Sequence, residues 1–297
     1  MHRFLFCLCN LIAAVSGSAA TPETTPGATT RAVESVTAEY GFSSEQAIEH
    51  TGPAGSVAIH RWAFTTKADH AVSTTDTLSY GVEIELNRLD ASSGAFLPEQ
   101  LIAAGLRLGI SRRISAAWST SFTLTPGIYG DGETVDGKSF NAPMLLGASY
   151  AKTRELVWLF GVRANVHAEH PVLPVAGVRW QFAPDWTLSV AFPRSGVQWR
   201  TSSRLTLDAG ASFQGDTFRI TKNLGTPVGM TGRLANTFMD YREIRVGVGA
   251  DYAPSDNLSV RVESGAFVDR RFDYFDRDYT LDGDGGWFGA IRATVGF

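Results

Sequence analysis

The sequence predicts an all-β chain, a single up-and-down antiparallel transmembrane β-barrel of about 12 to 14 strands. Three observations carry this. Apolar and polar residues alternate with period two through one segment after another from about Val33 onward. The segments run close to the ~9–11 residues that a tilted strand needs to cross a bilayer. Short connections also take turns with connections that can be longer, as in a barrel with tight turns at one rim and loops at the other.

In "TLSYGVEIEL", Leu78, Tyr80, Val82, Ile84 and Leu86 oppose Glu83 and Glu85. "ELVWLFGVRANVH" sets Leu156, Trp158, Phe160, Val162, Ala164 and Val166 against Glu155, Arg163, Asn165 and His167. In "RLTLDAGASFQ" the apolar face is Leu205, Leu207, Ala209, Ala211 and Phe213. "REIRVGVGADY" gives Ile244, Val246, Val248, Ala250 and Tyr252 against Arg245, Gly247, Gly249 and Asp251, and "NLSVRVESGAFVDRRF" gives Leu258, Val260, Val262, Ala266 and Val268 against Arg261, Glu263, Asp269 and Arg271. The closing "GWFGAIRATVGF" alternates in the same way and places its last apolar residue at Phe297. A bare edge in lipid leaves N–H and C=O groups unsatisfied at several kcal/mol each, so this strand is expected to close on the first.

Tight links are read at "SRRIS", "AKTRE", "APDW", "TSSR" and "APSDN". Counting back from Phe297 gives 14 strands if weak segments near 33 to 42 and 54 to 66 belong to the wall, and 12 if they do not. Tyr150, Trp158, Trp180, Phe182, Trp186, Tyr252 and Phe297 fall near the tight-turn ends as an aromatic girdle, with Trp287 at the other end. A soluble β-sandwich would also alternate, but it does not need strand pairs this long and regular.

Ahead of the wall, His2 and Arg3 precede an apolar run from Phe4 to Val15 and the small-residue stretch "SGSAA". That pattern is a secretory signal occupying residues 1–20, with cleavage after about Ala20. Residues 21–32 are a Thr- and Pro-rich flexible lead-in, and the barrel is assigned to residues 33–297. Cys7 and Cys9 both lie in the signal, so cysteine-based zinc, thiol and disulfide chemistry is excluded from the mature chain. A net charge of −4 argues against a nucleic-acid partner.

The pieces "PGIYGDGE", "PVLPVAGVRWQFAPDWTLSVAFPRSGVQW", "MDYREIRVGVGADYAPSDNLSVRVESGAFVDRRFDY" and "ATVGF" resemble an uncharacterised family of outer-membrane β-barrel proteins that carries a domain-of-unknown-function label. The resemblance spans roughly Leu78 to Phe297. It implies outer-membrane location and architecture, and no substrate or catalytic residue. Ile291, Ala293, Val295 and Phe297 also resemble the C-terminal signal by which such barrels are recognised by the barrel-assembly machinery.

Parity places a set of charges in the interior: Arg61, Glu83, Glu85, Arg107, Arg163, Arg179, Arg200, Asp208, Arg245, Asp251, Arg261, Glu263, Asp269, Arg271 and Arg292. On the lipid face an Arg at the bilayer midplane would cost ~2–4 kcal/mol, so these residues are expected to line the lumen. One consequence is a passive pore for small polar solutes whose arginines favour anions. Another is a closed structural barrel whose charges pair and fill the lumen.

A third class, an outer-membrane lipid hydrolase, needs a serine beside a histidine. His60, His167 and His170 show no such serine by spacing. "HAEH" reads as a solvated loop rather than a metal site, and the acidic loops "DGETVDG" and "DRDYTLDGDGG" lack EF-hand spacing. A hydrophobic-solute transporter would need a plug or a gap in the wall, and the polar lead-in is short for a plug. No cofactor is implied. The expected partners are outer-membrane lipids, lipopolysaccharide and the assembly machinery, around a monomer.

Overall fold

The computed structural model describes residues 34–283 and 285–297. The expected signal segment, both cysteines and the lead-in lie outside the described residues. The wall strands follow one another in chain order. They are β1 (Ser35–Ser43, continued by Gln46–Glu49), β2 (Pro53–Ala71), β3 (Asp76–Ala91), β4 (Gln100–Arg113) and β5 (Trp118–Leu124, continued by Gly127–Gly130). Then come β6 (Phe140–Asn141 and Met144–Ala151), β7 (Leu156–Ala164), β8 (Val172–Ala183), β9 (Trp186–Val190) and β10 (Arg194–Arg200). The last are β11 (Leu205–Ile220), β12 (Thr237–Ser255), β13 (Leu258–Tyr274) and β14 (Tyr279–Gly283 and Trp287–Gly296).

Each strand pairs antiparallel with the next, and β14 pairs with β1 from Ser35↔Gly296 to Ser43↔Phe288. The barrel is therefore closed with 14 strands, and both weak N-terminal segments belong to the wall. Phe297 completes the seal, its N–H donating to the Glu34 carbonyl at 3.0 Å. Turns at 72–75, 114–117, 152–155, 184–185, 201–204 and 256–257 share the rim where β1 begins and β14 ends. The longer connections, 92–99, 131–139, 165–171 and 221–236, stand at the opposite rim.

Wall height is uneven. β2 and β12 run for 19 residues each, whereas β9 has 5 and β10 has 7. Above the short strands the chain uses another closure. The Gly127–Gly130 stretch of β5 pairs with Ile102–Gly105 of β4, and Gly130 bridges in parallel to Arg219 of β11. This draws β4 and β11 together over β6 to β10, so the loop rim narrows to a smaller ring.

The ring is filled. Ile48, Leu101, Phe218, Phe272, Tyr274 and Leu281 are buried within one apolar cluster. Loop 92–99 adds Ala95, Phe96 and Leu97, and loop 221–236 adds Leu224, Met230 and Leu234. The Tyr274 hydroxyl donates to the Phe96 carbonyl at 2.8 Å, which pins the first of these loops inside.

Outside, exposed Trp62, Ile84, Leu106, Phe160, Val248, Val262 and Ile291 form the lipid-facing belt. Rings of Trp180, Phe182, Trp186 and Trp199 follow one another near the tight turns, as do Trp118 and Tyr150 at 4.9 Å. Tyr40, Phe42, Trp62 and Trp287 mark the other border.

Strand parity reverses within β13. The β12–β13 register slips between Ile244 and Arg245, which face Asp269 and Phe267 and leave Val268 unmatched. A bulge of this kind adds one residue and turns every later side chain to the other face. Beyond it Arg270, Phe272 and Tyr274 point inward and are buried. Asp269 and Arg271 therefore lie on the outer face, not in the lumen as the unbroken alternation predicts, and Arg271 pairs there with Asp282.

Candidate functional site

The interior at belt height has two unlike sides. The side running from β10 through the β14–β1 closure to β4 is built of cross-strand ion pairs. Arg61 binds Glu39 and, at 2.6 Å, Glu85, while Arg292 also binds Glu39. Arg107 meets Glu83 at 2.6 Å. Arg261 gathers Asp208 at 2.6 Å, Glu263 at 3.1 Å and Asp251, and Arg194 reaches the same Glu263 at 2.7 Å. Glu39 faces Arg292 and Asp251 faces Arg261 directly across neighbouring strands, and Glu85 and Glu83 lie diagonally to Arg61 and Arg107. Asp208 and Arg194 reach Arg261 and Glu263 over the small residues of the strands between them. Direct and diagonal neighbours of unlike charge stabilise a sheet.

Toward the narrow ring the pairs sink out of water. Glu243 is 0% exposed and takes Arg270 at 2.6 Å, Arg245 at 2.5 Å and the Tyr241 hydroxyl. Arg245 and Arg270 also lie over the Phe267 ring, at 5.2 and 4.0 Å. Such stacking suits guanidinium, which is weakly hydrated and planar. Arg163 pairs with Asp216 at 3.4 Å.

The side from β4 to β11 carries mostly small, uncharged residues. Ser119, Ser121, Thr123, Ser149 and Ser189 share the inward parity with Gly147, Gly161 and Gly177, and the Ser119 and Ser149 hydroxyls bond at 2.6 Å. Arg179 and Arg200 also point inward here, both exposed, and among the described residues no carboxylate lies within ion-pair distance of either.

Of the fifteen charges expected inside, thirteen are inward, and Asp269 and Arg271 are not. The interior network further contains Glu39, Arg194, Glu243 and Arg270. Glu243 shares its parity with Arg245 and was legible on that ground. Arg270 was not, because only the bulge turns it inward. Ile291 and Val295 of the closing strand lie exposed on the outer face with Phe297, and Ala293 shares their parity.

The histidines are scattered. His60 Nδ1 is 2.8 Å from the Tyr40 hydroxyl on the outer face, His167 stacks on Phe238 at 4.7 Å, and His170 sits 3.4 Å from Glu169. Among the described residues no serine hydroxyl bonds a histidine, and no three potential metal ligands form a group.

A clasp holds the rim loops. The buried Asp131 carboxylate accepts the N–H groups of Thr221 and Lys222 at 2.7 Å each and the Thr221 hydroxyl at 2.9 Å. Arg219 holds Asp136 at 3.0 Å, and Lys222 spans Glu99 and Glu133 at 2.8 and 3.1 Å. Partial burial would raise the Asp136 pKa, but its bonds from Arg219 and Ser139 outweigh this and hold it below the ordinary carboxylate value. The bonds that the Lys222 ammonium donates to Glu99 and Glu133 raise its pKa.

A family model described as "Domain of unknown function (DUF6268)" matches residues 61–280. The chain belongs to this family. No curated protein sequence matches it. Among solved structures, this DUF6268 barrel is similar to an outer-membrane channel from Pseudomonas putida F1, with a TM-score of 0.52, 9% identity and coverage of 93% of this chain and 100% of that one. A Pseudomonas aeruginosa FadL homologue aligns with a TM-score of 0.49 and 12% identity, over 89% of this chain and 90% of the other. At these identities the likeness is one of fold.

Proposed function

We propose that this DUF6268 barrel is a passive channel for small polar solutes in the outer membrane of a Gram-negative-type bacterium. It is exported by its signal segment and inserted as a monomer, with lipid and lipopolysaccharide around its belt. The observation that carries the reading is the two-sided lumen. A filler interior would be packed across its full width, whereas here a strip of hydroxyls and glycines faces a strip of ion pairs that satisfy one another. Such a path offers hydrogen bonds without a large field. Because most interior arginines are paired and only Arg179 and Arg200 stand without a carboxylate among the described residues, the arginine-driven anion preference expected from sequence is reduced to a weak one. No enzymatic step belongs to this reading.

A closed structural barrel is the second reading, and the apolar filling of the loop rim favours it. Planar bilayers separate the two. Replacing residues 224–234 with a short Gly/Ser linker removes the inserted loop. The channel reading expects stepwise conductance that rises several-fold in this variant, with at most a weak preference for anions. If both proteins are silent, the structural barrel is the better account.

A further inference from the structure

Four glycines stand side by side across the lumen wall. Gly196 of β10 pairs with Gly210 of β11, Gly210 with Gly247 of β12, and Gly247 with Gly265 of β13. A Cβ on Gly210 would run into the Ser195 carbonyl oxygen, and one on Gly247 into that of Ser264. The row is therefore a sharp corner of the sheet that admits only glycine. Its functional consequence is a trough on the inner face, where side chains would otherwise fill the bend.

The rims of this trough are polar. Ser189 continues the row on β9, opposite Gly196. On the tight-turn side lie Gln198 and Asp208, and on the loop side Arg194 and Ser212. Glu263 approaches from β13. Together they surround a cavity of about 80 Å³, open to the lumen. Since a water needs ~10–15 Å³ on this measure, the trough holds about half a dozen waters.

Two features decide what would replace those waters. The charges are already engaged, because Arg194 is spent on Glu263, and Arg261 is shared among Asp208, Asp251 and that same Glu263. The uncharged groups are unspent: among the described residues nothing hydrogen-bonds the side chains of Ser189, Gln198 or Ser212. Free hydroxyl and amide groups over a glycine floor, beside carboxylates able to accept paired O–H bonds, match a neutral polyhydroxylated solute. A net-charged ion would have to break the existing pairs, and an apolar solute would strand the polar rim.

We infer that this trough is a binding site for a neutral polyol or sugar. The inference names the solute class of the channel proposed above, and its test does not depend on conduction.

Saturation-transfer NMR on the detergent-solubilised full chain, titrated with glucose, sucrose, gluconate and benzyl alcohol, tests it. Saturable binding of glucose or sucrose is expected, stronger than that of gluconate or benzyl alcohol. The Q198L/S212A double variant, checked for unchanged circular dichroism, should bind about tenfold or more weakly, the loss of two hydrogen bonds. T74A, in the exposed tight turn 72–75 away from the lumen, should bind like the unaltered chain. Absence of saturable sugar binding, preference for gluconate or benzyl alcohol, or a double variant that binds normally would each overturn the site. A silent bilayer together with normal sugar binding would count against the channel and leave the site standing.

Discussion

The ring at the loop rim and the lumen at belt height are made by the same strands, yet their interiors are opposites. At belt height Arg261, Glu263 and Asp208 face inward while Val248 and Val262 face out. A few residues along the same β13, Phe272 and Tyr274 face inward and Arg271 faces out. The contrast follows from what lies outside. A wall in oil must send its polar side chains inward, whereas a wall in water can bury its apolar ones in the ordinary way. The bulge at Val268 marks the boundary between these two regimes.

If that account holds, equivalent substitutions should differ greatly in cost between the regions. The largest effect is expected at Glu243, whose removal leaves Arg245 and Arg270 buried and uncompensated. E243A should lose about 3–5 kcal/mol. E83A at belt height, where both partners of the Arg107 pair keep some contact with the lumen, should lose no more than about 1 kcal/mol. Chemical unfolding in detergent micelles measures both, and equal losses would remove the distinction.

Phe272→Ala should cost about 3–5 kcal/mol through the cavity it leaves in the filled ring. On the belt, Val248→Arg should cost about 2–4 kcal/mol for a different reason, since it sends a charge into lipid. Read by refolding into vesicles of varied thickness, the second penalty should fall as the bilayer thins and the first should not change.

A smaller effect is expected at the clasp. D131A removes charge-assisted bonds worth about 1.5–3 kcal/mol and loosens loop 221–236. With a cysteine placed at Leu234, which is 0% exposed, thiol labelling should accelerate in D131A relative to a cysteine at Val228, which is 97% exposed. A ratio that does not move would show that the apolar contacts alone hold the loop.

The smallest effect is the pH response of the Arg219–Asp136 pair. Because the folded state depresses this carboxyl, its contribution is complete above the unfolded carboxylate pKa of ~4 and is lost as pH falls through the lower folded value. The same labelling ratio should therefore rise modestly below about pH 4, and D136N should abolish the change.

Much of this was readable from period two. The wall segments at Leu78–Leu86, Leu156–Ala164 and Trp287–Gly296 and the tight turns between strands lie where the alternation put them, because lipid enforces one apolar face on every strand. Val166, however, falls in a rim loop. The first two strands were harder to read. Thr65, Thr66 and Lys67 blur the pattern of β2, and only its pairing with β1 and β3 shows it to be wall. Of the lumen, thirteen of the expected inward charges were legible. Asp269, Arg270 and Arg271 were misassigned or missed because a single unmatched residue reverses parity and alternation carries no record of it. The glycine trough was also hidden. Gly196, Gly210, Gly247 and Gly265 stand far apart along the chain, and only the strand registers set them side by side.

By itself, then, the sequence determined that the chain is a closed wall with oil on one face and polar groups on the other, since two-residue periodicity is a local property that each strand carries alone. The tertiary structure decided the strand count, the narrowing of the loop rim through Gly130 and Arg219, the filling of that ring, and which arginine meets which carboxylate. Those depend on register and shear between strands, which are fixed only when all fourteen close together and every backbone group finds its partner.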